Sequence, residues 1–117
     1  MQNIVALLIH VPSPPEALAW YKRAFPEAKQ VHSIPGLDAL RVGEVQLEFV
    51  PSDAKVTSGA AGTIAYWSVP EFDSALSALL SVGALLYRGP LNIEDGLVMC
   101  QVRDPWGNCI GIRGKRG

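Results

Sequence analysis

The sequence runs through one order of structural elements twice. An apolar run at 4–11 stops at Pro12-Ser13-Pro14-Pro15, after which Ala17, Leu18, Trp20, Tyr21, Ala24 and Phe25 recur at helical spacing. A strand followed by a helix is expected. Ser13 fits an N-cap, with Pro14 at N1 and Glu16 at the capping-box position, and Pro26 stops the helix. Three turn-bounded extended segments follow at 29–34, 39–42 and 45–50, separated by Pro35-Gly36 and Gly43-Glu44. Residues 52–62, rich in Ser, Gly and Ala, lose all periodicity and read as a linker. The order then repeats, with a strand at 63–69, a helix at 71–82, and strands at 84–88, 97–103 and 109–113. An offset of 58 superposes Val11-Pro12 on Val69-Pro70 and Ala17-Leu18 on Ala75-Leu76.

Two βαβββ modules in 117 residues are expected to form one domain, 1–117, with module one at 1–51 and module two at 63–117. Hydrophobic residues make up 49% and charged residues 18%, enough apolar surface to offset chain entropy and exclude disorder. Runs of three adjacent strands favour antiparallel pairing, so the fold class is α+β, each mixed sheet carrying its helix on one face. The other faces are expected to curl around a central cup.

Charge divides evenly, at +5/−6 over 1–58 and +5/−5 over 59–117, which predicts no strongly basic face. The basic tail Arg113, Lys115, Arg116 reads as a solvated terminus, so no nucleic-acid partner is expected. Met1-Gln2-Asn3 brings no positive n-region, and the apolar run behind it is too short to span a bilayer. A cytoplasmic protein without a membrane partner is expected. Cys100 and Cys109 flank a turn whose hairpin register keeps them apart, so both are predicted to be buried, reduced thiols.

Three stretches carry a family resemblance. They are the helix start Pro15-Glu16-Ala17-Leu18-Ala19-Trp20-Tyr21-Lys22-Arg23-Ala24-Phe25, the strand Val45-Gln46-Leu47-Glu48-Phe49-Val50, and the closing Val102-Arg103-Asp104-Pro105-Trp106-Gly107-Asn108-Cys109-Ile110. With the paired modules, they resemble the vicinal oxygen chelate superfamily of glyoxalase I, bleomycin-resistance proteins, fosfomycin-resistance enzymes and extradiol dioxygenases. The resemblance implies the fold and a homodimer, and it leaves the reaction open, since the superfamily hosts many chemistries. Within the closing segment, Pro105 and Gly107 suit a hairpin turn, and Trp106 at its tip is expected to be exposed, most simply as a dimer contact.

Metal-using members place His or Glu near the start of each module's first strand and Glu on its last, because imidazole and carboxylate lone pairs replace a cation's water shell. Carried over, these positions fall on Ala6, Glu48, Ile64 (or Thr63) and Gly111. Glu48 is the one expected donor present, so the resemblance implies no metal and no cofactor here.

Strand period turns Leu7, Ile9, Val11 and Ala65, Trp67, Val69 toward the helices. It turns Ala6, Leu8, His10, Gln46, Glu48 and Val50, with Ile64, Tyr66, Ser68, Cys109, Gly111 and Arg113, toward the cup. The candidate ligand-binding residues are His10, Arg41, Gln46, Glu48, Tyr66, Ser68 and Arg113, with no catalytic residue assigned. Tyr66 offers a stacking surface and Glu48 a partner for a cationic group; a buried Glu48 would otherwise pair with Arg113 or Arg41. The expected function is metal-free binding of a small organic molecule in the manner of a bleomycin-resistance protein. Two alternatives stand beside it. One is an enzyme, either a glyoxalase-like metal lyase or isomerase with ligands relocated to His10 and Glu48, or an acid/base catalyst using the same pair. The other is an interaction subunit whose cup is filled by Leu8 and Ile64.

Overall fold

A computed structural model describes residues 4–32 and 34–116. Met1-Gln2-Asn3, Ser33 within the predicted extended segment at 29–34, and Gly117 lie outside the described residues. The chain divides into two compact units, Met1–Ser58 and Gly59–Gly117.

Unit one contains β1 (Ala6–Val11), α1 (Pro14–Ala24), β2 (Lys29–Gln30), β3 (Asp38–Val42) and β4 (Val45–Pro51). Its sheet runs β1-β4-β3-β2, with β1 parallel to β4 and the remaining pairs antiparallel. The parallel pair needs a crossover, which α1 supplies together with the β2–β3 excursion. Alternation along β4 sends Leu47 and Phe49 into the core, where Tyr21 of α1 meets Phe49 at 4.9 Å between ring centroids and Trp20 edge-on at 5.0 Å. Leu40 on β3, opposite Leu47, completes that buried layer.

Unit two repeats the plan with β5 (Tyr66–Ser68), α2 (Phe72–Ser81), β6 (Leu85–Asn92), β7 (Val98–Arg103) and β8 (Cys109–Gly114). Its sheet runs β5-β8-β7-β6, with β5 parallel to β8. Val98, Cys100, Val102, Ile110 and Ile112 form the buried face with Phe72 and Leu79 of α2. The edge strand β6 exposes Leu85, Leu86, Tyr87 and Leu91, and register shifts on either side of Arg88 break its regularity.

Several boundaries and contacts differ from expectation. The predicted strand at 29–34 shortens to Lys29–Gln30, and the one at 63–69 to Tyr66–Ser68. The β5 ladder still extends beyond the strand, since Gly111 N donates to Ala65 O and Val69 N to Arg113 O. The predicted strand at 84–88 lengthens to Leu85–Asn92 because β7 is long enough to pair with it.

Ser13 is the N-cap of α1 but its side chain makes no capping bond. The reason is local: Pro14 and Pro15 fill N1 and N2, and a proline at N2 has no N–H to offer the cap. In α2 Glu71 does this work, its carboxylate accepting from Ser74 N at 2.6 Å. Gly83 at φ +102 ends α2, while Gly83 N and Ala84 N donate back to Leu80 O and Leu79 O.

The two cysteines are free and out of register, Cys100 opposite Ile112 and Cys109 opposite Arg103. Only Cys100 is fully buried; Cys109 is half-buried because its strand position turns it to the face opposite α2. Burial pushes the Cys100 thiol up to about 11 and also raises Cys109.

Candidate functional site

Each sheet has one face on its helix and one face away from it, and the predicted polar residues collect on the second. In unit one, the register places Ala6 beside Gln46 and Arg41, Leu8 beside Glu48 and Ala39, and His10 beside Val50. Arg41 Nη2 donates to Gln46 Oε1 at 3.1 Å, and Gln46 Nε2 donates to Glu48 Oε2 at 3.0 Å. The amide thus uses both ends, accepting from a cation and donating to an anion.

The expected partner of a buried Glu48 is Arg113 or Arg41; Glu48 is half-buried, and it meets Arg41 only through Gln46. Arg41 lies opposite Gln46, two residue pairs along from Glu48, so the amide stands between the two charges. Glu48 is half-buried and Arg41 exposed, which leaves part of the carboxylate for a further donor. His10 is half-buried on the same sheet face but two pairs further along. Its electrostatic influence reaches Asp53, whose carboxyl is held below its usual range first by the backbone N–H of Val56, then by that of Lys55, and least by His10.

In unit two, a single row crosses all four strands: Tyr66 on β5, Gly111 on β8, Gln101 on β7 and Arg88 on β6. Gly111 fits because it has no side chain; a Cβ there would stand 2.6 Å from Tyr66 Cδ2. The Tyr66 ring therefore lies across the glycine, and its hydroxyl oxygen accepts from Gln101 Nε2 at 2.8 Å. The Arg113 guanidinium carbon stands 5.6 Å from the Tyr66 ring centroid, within cation–π range. Ser68, opposite Arg113, is exposed in the next row.

Gln101 is the residue that sequence reading missed. It is only 9% exposed, one of two buried polar side chains among the described residues, and it fixes the Tyr66 hydroxyl. Its signal was available in the alternation Val98-Met99-Cys100-Gln101-Val102, which sets one amide on the face opposite a wholly apolar row. Unit two's strands contain Arg88, Arg103 and Arg113 and no Asp or Glu, so position along the fold segregates charges that the totals cancel.

The turn 104–108 is built from its own polar atoms. Asp104, 3% exposed, accepts from Trp106 N at 2.9 Å and Asn108 N at 2.8 Å, while Gly107 takes φ +88. Asn108 Oδ1 accepts from Gly59 N, and Arg103 Nε donates to Gly107 O. Trp106 is half-buried rather than exposed, a correction that follows from the turn folding back on these bonds.

A catalytic divalent metal needs three or four N, O or S donors converging on one point. The donor chemistry here does not fit one. Ala6 and Ile64 carry no donor, the Gly111 position is taken up by the Tyr66 ring, and no group of three His, Cys, Asp or Glu among the described residues could hold an ion.

Comparison of the whole chain with solved structures gives 164 matching chains. One is a glyoxalase/bleomycin resistance protein/dioxygenase family enzyme from Burkholderia phytofirmans, with TM-score 0.81 and 18% identity, covering 97% of this chain and 98% of that one. The chain has the vicinal oxygen chelate fold. The same fold links it to a glyoxalase-related enzyme from Fulvimarina pelagi, with TM-score 0.78 and 16% identity over 98% of this chain and 89% of that one. It also links it to TnmS3, an antibiotic binding protein from Streptomyces sp. CB03234, with TM-score 0.77 and 17% identity over 98% and 97%. At the sequence level, no family model and no curated protein matches this chain. Such identities carry the fold alone, and the fold hosts many functions.

Proposed function

We propose that the chain is a small-molecule binding protein that holds an organic ligand without a metal; the candidate residues are His10, Arg41, Gln46 and Glu48 in unit one and Tyr66, Ser68 and Arg113 in unit two. The observation that carries this reading is the replacement of metal donors by packing: Gly111 stands where a ligating carboxylate is expected, and an aromatic ring fills the space above it. Half-buried polar side chains (His10, Gln46 and Glu48) on one sheet and an aromatic ring (Tyr66) on the other are the kinds of group that furnish organic-ligand sites. An antibiotic binding protein among the structures of the same fold supports the class of function.

The metal lyase reading would need donors drawn together from several strands, and none of the geometry favours it. The proposal also treats the protein as a homodimer of one-domain chains in the cytoplasm. No helix is long and apolar enough to cross a membrane among the described residues.

A thermal-shift screen of aromatic and cationic organic molecules, run with and without a chelator, tests the reading. A ligand that binds the native state alone raises stability by about 2.7 kcal/mol at a hundredfold excess over Kd. Hits unaffected by chelation are expected; stabilisation by Ni²⁺, Zn²⁺, Mn²⁺ or Fe²⁺ instead would return the protein to the enzyme reading. For a cationic hit, Glu48→Gln is expected to weaken binding about tenfold in calorimetry. Unchanged affinity would remove Glu48 from the site. Light scattering at two concentrations checks the dimer.

A further inference from the structure

Unit two has five acidic residues, and none of them lies on a strand of its sheet. Glu71 caps α2, Asp73 pairs with Arg116 at 3.2 Å, Asp104 is enclosed in its turn, and Glu94 and Asp95 form the 3₁₀ turn Glu94–Gly96 between β6 and β7. The strands themselves keep three arginines and no carboxylate. Of these, Arg103 is engaged by the Gly107 carbonyl and the Tyr87 ring. Arg88 and Arg113 remain exposed on the same face as Tyr66 and Gln101, Arg88 in their row and Arg113 in the next.

We infer that this face selects a planar ligand bearing an anionic group, a carboxylate or its equivalent, beside the Tyr66 ring. The inference rests on the small-molecule reading above and adds the sign of the charge that the unit two face takes. Three features converge on it. Tyr66 is laid across Gly111, which gives a flat aromatic surface. Gln101 donates to the Tyr66 oxygen, so the phenol hydrogen is left to donate outward. Arg113 holds a planar guanidinium beside the ring, a fork matched to two carboxylate oxygens, with Arg88 on the far strand adding a second positive charge. A cationic ligand would meet two like charges here and find no counter-charge on any strand of the sheet.

The test uses the full chain and three probes of one size and shape: benzoate, benzyl alcohol and benzylammonium. Amide resonances of Gln101 and Gly111 are followed during titration. Benzoate is expected to produce saturable shifts that weaken with added salt, benzyl alcohol to bind less tightly, and benzylammonium to leave these resonances in place. Arg113→Gln should lower benzoate affinity about tenfold, and Arg88→Gln should lower it less. Arg116→Gln, which removes a positive charge already paired with Asp73, should leave it unchanged. Equal binding of all three probes would overturn the charge preference and keep the ligand-binding reading. Silence from all three would overturn the inference, and a hit in the broader compound screen would then keep the parent reading alone. Equal losses for Arg113→Gln and Arg116→Gln would reduce the effect to net charge and also overturn it.

Discussion

Gly111 shows how one missing side chain decides a site. Its neighbour Tyr66 needs the vacant space, so Gly111→Ala forces either the ring or β8 to shift. The expected cost is about 2 kcal/mol in chemical denaturation, and most of it should vanish in a Tyr66→Ala background, where the clash is gone. A full penalty in the double variant would mean that backbone conformation, not the ring, demands the glycine. Cys100 offers a second single-residue test. Its thiol stays protonated up to about 11 in the folded chain, whereas an exposed thiol ionises near 9.0. The unfolded chain thus gives up its proton first as pH rises. Stability from this group is complete below pH 9 and is lost between 9 and about 11, at up to about 1.4 kcal/mol per pH unit. Cys100→Ala should flatten that part of the alkaline stability curve.

At the scale of elements, the two helices solve the same problem differently. The paired prolines that start α1 remove one of the N–H groups a cap would serve, and Ser13 is left with a backbone role, its carbonyl accepting from Ala17 N at 3.0 Å. In α2 no proline intervenes, and Glu71 reaches Ser74 N. Ser13→Ala is therefore expected to cost under about 0.5 kcal/mol and Glu71→Ala about 1 kcal/mol in thermal denaturation. Equal costs would show that the Ser13 hydroxyl contributes to the helix start after all. The strands differ in a similar way. The short edge β2 buries little, while β6 is long, apolar and broken by register shifts, which limits regular pairing along an exposed edge. Boundaries were harder to read than elements because strand ends depend on the partner: β6 outruns its apolar segment where β7 faces it.

For the whole molecule, the proposal of a single domain predicts one cooperative unfolding transition, with the calorimetric enthalpy equal to the van't Hoff value. Two separated transitions would instead make Met1–Ser58 and Gly59–Gly117 independent folding units. The boundary between those units falls within the aperiodic stretch at 52–62, and the offset of 58 holds through both helix starts. Beyond them the spacing widens, Val45 to Cys109 exceeding it because β6, β7 and the turn after β7 are longer than their counterparts. The repeated βαβββ order, the strand faces and the reduced cysteines were legible in the residues alone. Local rules carry that far: apolar period fixes which face is buried, and proline and glycine fix where elements stop. Pairing across strands was not legible, because it joins residues dozens of positions apart. Only the folded register set Gln46 between Arg41 and Glu48, laid Tyr66 over Gly111 against Gln101, and gathered arginines from three strands on one face. Charge totals and strand parity are sums over the chain, whereas a binding face is made by adjacency in space.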